Sequence, residues 1–345
     1  MVKSTSSSSA SSVVSLPSAW KSVVPSFPFM KHDKWSNVLF LHWRVPKELE
    51  SLLKDHTSPF QLDRTPDGSA WIGLVLLTEQ NVGPTLFRTS GTCVTHHGLN
   101  VRTYLQGYQN KPDGICFASL ECDDRFTAFG ANYFGMPYKV AKMQRSFYPK
   151  KKFLSETDID TKLSARQVDD SACQSKFAKG FSFESFRLKQ QRNLPLQMLK
   201  SCLSFTKEGL HSTIVAKHVD SEELSKKSKL LKSQSKDDSS FSVECEWEIS
   251  EQENDATQDP LAQFFVERYV VYTKKYGRNW YGQVQHEAWP VQDATLRRPL
   301  SMSNIDSYEP AALQPLLQHM SGTAPDSVLY SHGVGPILFQ MLQPI

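Results

Sequence analysis

Leu99-Asn100-Val101-Arg102-Thr103-Tyr104-Leu105 repeats with a period of two. Successive strand side chains point to opposite faces, so a β-strand here puts Asn100, Arg102 and Tyr104 on one face and Leu99, Val101 and Leu105 on the other. Outward from this strand, residues 70–77, 115–120, 269–273, 280–286 and 328–337 are rich in β-branched and aromatic residues and bounded by Gly, Pro, Asp or Asn, which predicts further short strands. Two helices interrupt them. Pro46 opens one, with Leu49, Leu52 and Leu53 at helical spacing, and Asp259 and Pro260 cap and open the other, ahead of Leu261, Phe264 and Phe265. So few and such short helices predict a mostly β (α+β) domain whose antiparallel sheet closes toward a barrel under a few covering helices.

Composition sets the outer limits. A 345-residue chain that is 39% hydrophobic, with 20 Phe, 11 Tyr and 7 Trp, has apolar surface enough for a sizeable core. Its formal charge of +3, from 39 basic and 36 acidic side chains, gives no field that would draw in nucleic acid or an anionic membrane. The six cysteines are scattered without a CxxC pair and are read as reduced. No run of 18 apolar residues is present for a membrane span, and no secretory signal follows the first basic residues. The expected compartment is the cytoplasm, or a plastid or mitochondrion if the N-terminus is a transit peptide. Residues 1–30 are Ser-rich, with Lys3 and Lys21, no acid before Asp33 and no arginine, and read equally as a transit peptide or a disordered tail. Residues 189–240 form a polar insertion whose lysines, Lys226 to Lys236, lack interleaved aromatics and run into Asp237 and Asp238, the pattern of a solvated loop. A single domain is therefore expected over 31–345.

If the polar face of the 99–105 strand points into an enclosed space, Arg102 flanked by Asn100 and Tyr104 is a receptor for a carboxylate or phosphate, because guanidinium binds such oxyanions bidentately; a merely wet face is the alternative. Strand periodicity applied to Glu267-Arg268-Tyr269-Val270-Val271-Tyr272 puts Arg268 and Tyr272 together, opposite Glu267 and Tyr269. His286, near Trp289, sits at a strand end, where a packing role competes with a catalytic one. No GxSxG, HExxH, GxGxxG, P-loop or EF-hand pattern occurs. His96 and His97, adjacent on a strand, would face opposite ways and could not share a metal, so neither metal nor cofactor is expected.

These segments, in this order, resemble the domain of unknown function 2071 family: Val38 to Trp43, Leu99 to Tyr104, Gly135-Met136-Pro137-Tyr138, Glu267-Arg268-Tyr269 with Tyr272, and His286 with Trp289 and Pro290. The family is similar to acetoacetate decarboxylase, and the resemblance implies a β barrel enclosing an apolar cavity. It also exposes two departures. Tyr138 stands where the decarboxylase has its Schiff-base lysine, and Lys139 where the neighbouring cation lies. A nucleophilic lysine must fall roughly 3 to 4 units from about 10.4, and Lys139, between Tyr138 and Val140, has no adjacent charge to push it, so an ordinary ionised lysine facing away from Tyr138 is expected. Gly98 stands where relatives commonly carry a glutamate, which leaves His96 or His97 as the substitutes. The resulting expectation is a barrel that binds a small carboxylate-bearing molecule through Asn100, Arg102, Tyr104, Lys139, Arg268, Tyr269 and Tyr272. If it is an enzyme, it is of lyase or proton-transfer type, with Tyr138 and His286 as proton donors. The rival expectation is a non-catalytic scaffold whose barrel is filled by its own side chains.

Overall fold

The computed structural model describes residues 28–86, 88, 93–149, 181–190, 241–249, 258–275 and 277–345. The expectations for residues 1–27 and for the insertion from 191 to 240 fall outside the described residues.

Among the described residues fifteen strands carry the fold. The first six are β1 (Met30–His32), β2 (Lys34–Arg44), β3 (Trp71–Pro84), β4 (Val94–Leu105), β5 (Gly114–Cys122) and β6 (Tyr138–Pro149). β7 (Phe181–Gln190), β8 (Ser242–Ile249), β9 (Val270–Lys275), β10 (Arg278–Gln285) and β11 (Gln292–Leu296) follow. Then come β12 (Ser301–Ser303), β13 (Ser327–Val334), β14 (Ile337–Phe339) and β15 (Gln343–Pro344). The helices are short: α1 (Glu50–Thr57), α2 (Arg125–Tyr133), α3 (Pro260–Val266) and α4 (Gln314–Gly322). Asp259 caps α3 as its sequence requires, accepting from the Leu261 and Ala262 amides, with Pro260 in the first turn. Among the described residues no helix is long and apolar enough to cross a membrane.

Hydrogen-bonded pairings run β1-β14-β10-β9-β5-β4-β3-β2-β13-β11-β8-β7-β6, and two further pairings, β1–β3 and β5–β6, bring the path back on itself. The described strands therefore trace two closed circuits that share β3, β4 and β5 as a common wall. Not every pair is antiparallel: β5 lies parallel to β6 and to β9. For β5 and β6 the cause is the connection, since parallel neighbours need a crossover and α2 provides it.

The shared wall is covered on both sides, which is why Trp71 to Glu79 is buried at every residue instead of alternating. One face joins Leu99, Val101, Leu74 and Leu76 to Trp43, Trp247 and Tyr308 in a closed apolar core. The other joins Val75, Leu77, Tyr104 and Phe40 to Phe265 of α3 and Trp289. The expected separation of Leu99 and Val101 from Asn100, Arg102 and Tyr104 is present, but neither face is wet.

Candidate functional site

A cavity of ≈ 550 Å³ opens on the second face of the wall, and Asn100, Arg102, Arg268, Tyr138 and His286 all line it. Its body is apolar, with Val75 and Leu77 from β3 and Phe117 and Leu120 from β5. Phe126 of α2 and Met341 also line it and remain 68% and 50% exposed, so they stand at the mouth.

Arg102 is 9% exposed. Its Nη2 donates to the Phe265 carbonyl at 2.9 Å, while its buried Nε has no hydrogen-bond partner. Among the described residues no carboxylate ion-pairs with it. Phe40 and Tyr104 rings lie 5.6 and 5.7 Å from the guanidinium carbon. Arg268 differs: it is paired with Asp63 at 2.8 Å and donates Nε–H to the Phe264 carbonyl at 2.7 Å.

Tyr104 shares the Arg102 face but is fully buried and sits behind the cavity without lining it. Burial raises its pKa, and the Arg102 and Arg268 charges oppose the rise. Beside it His42 is also fully buried, stacked on Phe265 with centroids 3.8 Å apart and neither ring nitrogen hydrogen-bonded. Burial, and then Arg102, push His42 well below its ordinary value. Gly73 makes room for this pair, since a Cβ there would stand 3.0 Å from the His42 ring and 3.1 Å from the Tyr104 hydroxyl.

His286 is buried, with Nδ1 2.7 Å from the Glu287 carbonyl. A carbonyl only accepts, so Nδ1 carries a proton. Burial lowers this histidine's pKa, while the Glu287 carbonyl and the Glu267 charge oppose the shift. Tyr138 enters from the parallel pairing of β6, opposite Leu120. Burial, reinforced by the nearby Glu79 charge, raises its phenol well above the ordinary range, so it remains a donor.

Besides Tyr104, three further expected ligand-binding residues do not line the cavity. Tyr272 lies in the closed core and donates to the Pro112 carbonyl at 2.7 Å. The strand begins only at Val270, after a break at Glu267 with ψ 66°, so Val271 takes the cavity-facing position and Tyr272 the opposite one. Tyr269 supports the site from behind: it stacks on His286 at 4.5 Å and donates to the Glu267 carboxylate. Lys139 faces away from Tyr138, as strand alternation requires. It donates to the Glu309 carbonyl and lies 5.1 Å from the Tyr308 ring. It is not an ordinary lysine, because burial lowers its pKa, and Glu121 and Glu309 only partly counter this.

Glu79, His32 and Trp35 line the same cavity and were missed from sequence. Glu79 is 4% exposed, its Oε2 2.8 Å from His32 Nδ1 and 3.2 Å from Trp35 Nε1, its Oε1 3.7 Å from His96 Nε2. Burial alone would raise this carboxyl, but His96 and His32 hold it below the usual carboxylate range. A Cβ at Gly98 would stand 3.0 Å from Glu79 Oε1, so a carboxylate from the neighbouring strand occupies the region that Gly98 leaves open. The sequence held no signal for Glu79, since Thr78 and Glu79 follow the apolar run 71–77 as a strand's exit to solvent would. His97 faces away from His96, 2.9 Å from Thr78 Oγ1.

A mostly β chain with an apolar cavity and convergent buried polar groups defines the class. The chain belongs to the DUF2071 family, described as an uncharacterized conserved protein, whose profile matches residues 32–188 and 204–335. It is 34% identical over 122 residues to the uncharacterized protein YqjF of Bacillus subtilis (strain 168), a match over 35% of this chain and 48% of YqjF. The aligned part thus spans about half of that relative's length. Among solved structures, an acetoacetate decarboxylase-like enzyme from Sphingomonas wittichii RW1 aligns at a TM-score of 0.46 and 8% identity, over 93% of this chain and 94% of that one. The enduracididine biosynthesis enzyme MppR aligns at 0.44 and 10%, over 94% and 90%. No residue role is transferred from either structure.

Proposed function

We propose that the cavity binds a small organic anion, with its carboxylate on Arg102 and Asn100 and its apolar part against Phe117, Leu120 and Val75. The observation that carries this reading is that Arg102 is buried and, among the described residues, has no carboxylate within ion-pair distance. A desolvated charge without a counter-ion costs several kcal/mol, and a bound oxyanion is the partner that removes the cost. Asn100 and Arg102 both line a cavity of ≈ 550 Å³, which weighs against a scaffold filled by its own side chains. The two closed circuits of strands support reading the fold as an acetoacetate decarboxylase-like barrel with the cavity inside one circuit.

If the ligand is a substrate, the chemistry falls to groups that hold or move protons. Tyr138, kept as a phenol, donates at one end, and His286 exchanges a proton near the two arginines. A Schiff-base route through Lys139 is disfavoured by its orientation, since its amine is engaged on the far side of the wall by the Glu309 carbonyl. Native mass spectrometry of the purified full chain, as parent and as Arg102→Met, tests the binding reading. A co-purifying organic acid in the parent that is absent from the variant is the expected result. The same adduct in both would overturn it.

A further inference from the structure

The cavity has a second polar end. Arg102 pairs with Gly73 and His96 with Glu79 across β3 and β4, so Glu79 lies six residues along β3 from the level of Arg102. At roughly 3.3 Å per residue that is about 20 Å of strand. Between the two ends β3 presents Val75 and Leu77, and β5 presents Leu120. Glu79 Oε2 is taken by His32 and Trp35, whereas among the described residues Oε1 has only His96 Nε2, at 3.7 Å, beyond hydrogen-bond reach. An ionised carboxylate oxygen retains accepting capacity in that state. The space beside Oε1 is the space that a side chain at Gly98 would enter. Tyr138 lines the same cavity but pairs with Leu120, at the level of Asn100.

We infer that Glu79 forms a second subsite that takes a hydroxyl group at the far end of an elongated, apolar-bodied carboxylate anchored on Arg102. A hydroxyl is the group that fits, since it donates to a carboxylate and carries no charge of its own. This rests on the anion-binding reading of Arg102 and names the ligand class for that same cavity.

The test is isothermal titration of the full chain with ω-hydroxy fatty acids of about eight to sixteen carbons, each paired with the unsubstituted acid of equal length. In the parent the hydroxyl should improve affinity at least about tenfold at the best-fitting length, the lower end of the range for a hydrogen bond to a charged group. Glu79→Gln should remove that preference while leaving the unsubstituted acid's affinity within about twofold. Gly98→Ala, which intrudes beside Oε1, should do the same and serves if Glu79→Gln fails to fold. Equal affinities within every pair in the parent, or a preference that survives these substitutions, would overturn the subsite. If Arg102→Met leaves all the acids bound as before, the anchoring role falls as well, and with it the proposed function. Weaker binding to Arg102→Met without any hydroxyl preference sinks the subsite alone.

Discussion

The two faces of the β3–β5 wall are built from alternate residues of the same strands, yet one packs into closed core and the other opens onto a cavity. On the closed face Ser119 donates to Glu121, Lys139 donates to the Glu309 carbonyl, and Leu99, Val101 and Tyr308 pack around them. On the cavity face Arg102 keeps a buried nitrogen without a partner, His42 keeps two, and Glu79 keeps an accepting oxygen. Native interiors hydrogen-bond nearly all their buried polar groups. Trp247 Nε1 and the Tyr308 hydroxyl on the closed face are also without a partner among the described residues, so the faces differ in what adjoins such groups: packed core on one side, and open cavity beside Arg102 and Glu79 on the other.

Adjacent residues give the strongest way to break this contrast. Leu99 is 1% exposed in the closed core, so Leu99→Ala should lower unfolding free energy by about 2–5 kcal/mol. Asn100→Ala, one residue away and facing the cavity, should change it by less than about 1 kcal/mol, because it leaves no cavity of its own in packed core. Denaturant unfolding of the two variants checks the pair, and equal losses would erase the distinction between the faces.

A pH profile sharpens the closed side. Burial raises the Glu121 carboxyl from its ordinary value near 4.5 to about 7. The folded state then binds more protons than the unfolded state between these values, so stability should fall as pH rises from about 4.5 to 7 and stay reduced above that. Glu121→Gln should flatten this window and stabilise the protein at pH 8 by roughly 1–3 kcal/mol. A slope that survives the substitution would assign the titration elsewhere.

The cavity side predicts a gain from loss. Arg102→Met keeps the length of the side chain but removes an uncompensated buried charge, so the ligand-free variant should be as stable as the parent or more stable by about 1 kcal/mol, measured in denaturant. A loss of several kcal/mol would mean that Arg102 is a structural ion, already balanced. The smallest expected effect is none: borohydride trapping with a keto acid should leave Lys139 unlabelled, because its amine lies across the wall from the cavity. A reduced adduct on Lys139, found by peptide mass spectrometry, would reopen imine chemistry.

How far the sequence reached follows from the same geometry. Period-two alternation sorted residues 99–105 correctly, because β4 runs unbroken through that segment. It failed at Tyr272, where a helix end at Glu267 resets the phase before Val270. Glu79 was out of reach for a different reason. A charged residue ending an apolar run reads as the strand's exit to solvent, and only the pairing of β3 with β4 brings it against His96 and Gly98. The parallel pairings were equally hidden, because they depend on the α2 crossover and not on any local pattern.

Thermal unfolding of the full chain against a panel of carboxylates, as parent and as Arg102→Met, probes the buried guanidinium most directly. At least one organic acid should raise the parent's midpoint in a concentration-dependent way and leave the variant's unmoved. Equal shifts in both proteins would contradict the assignment of Arg102 as the anion receptor.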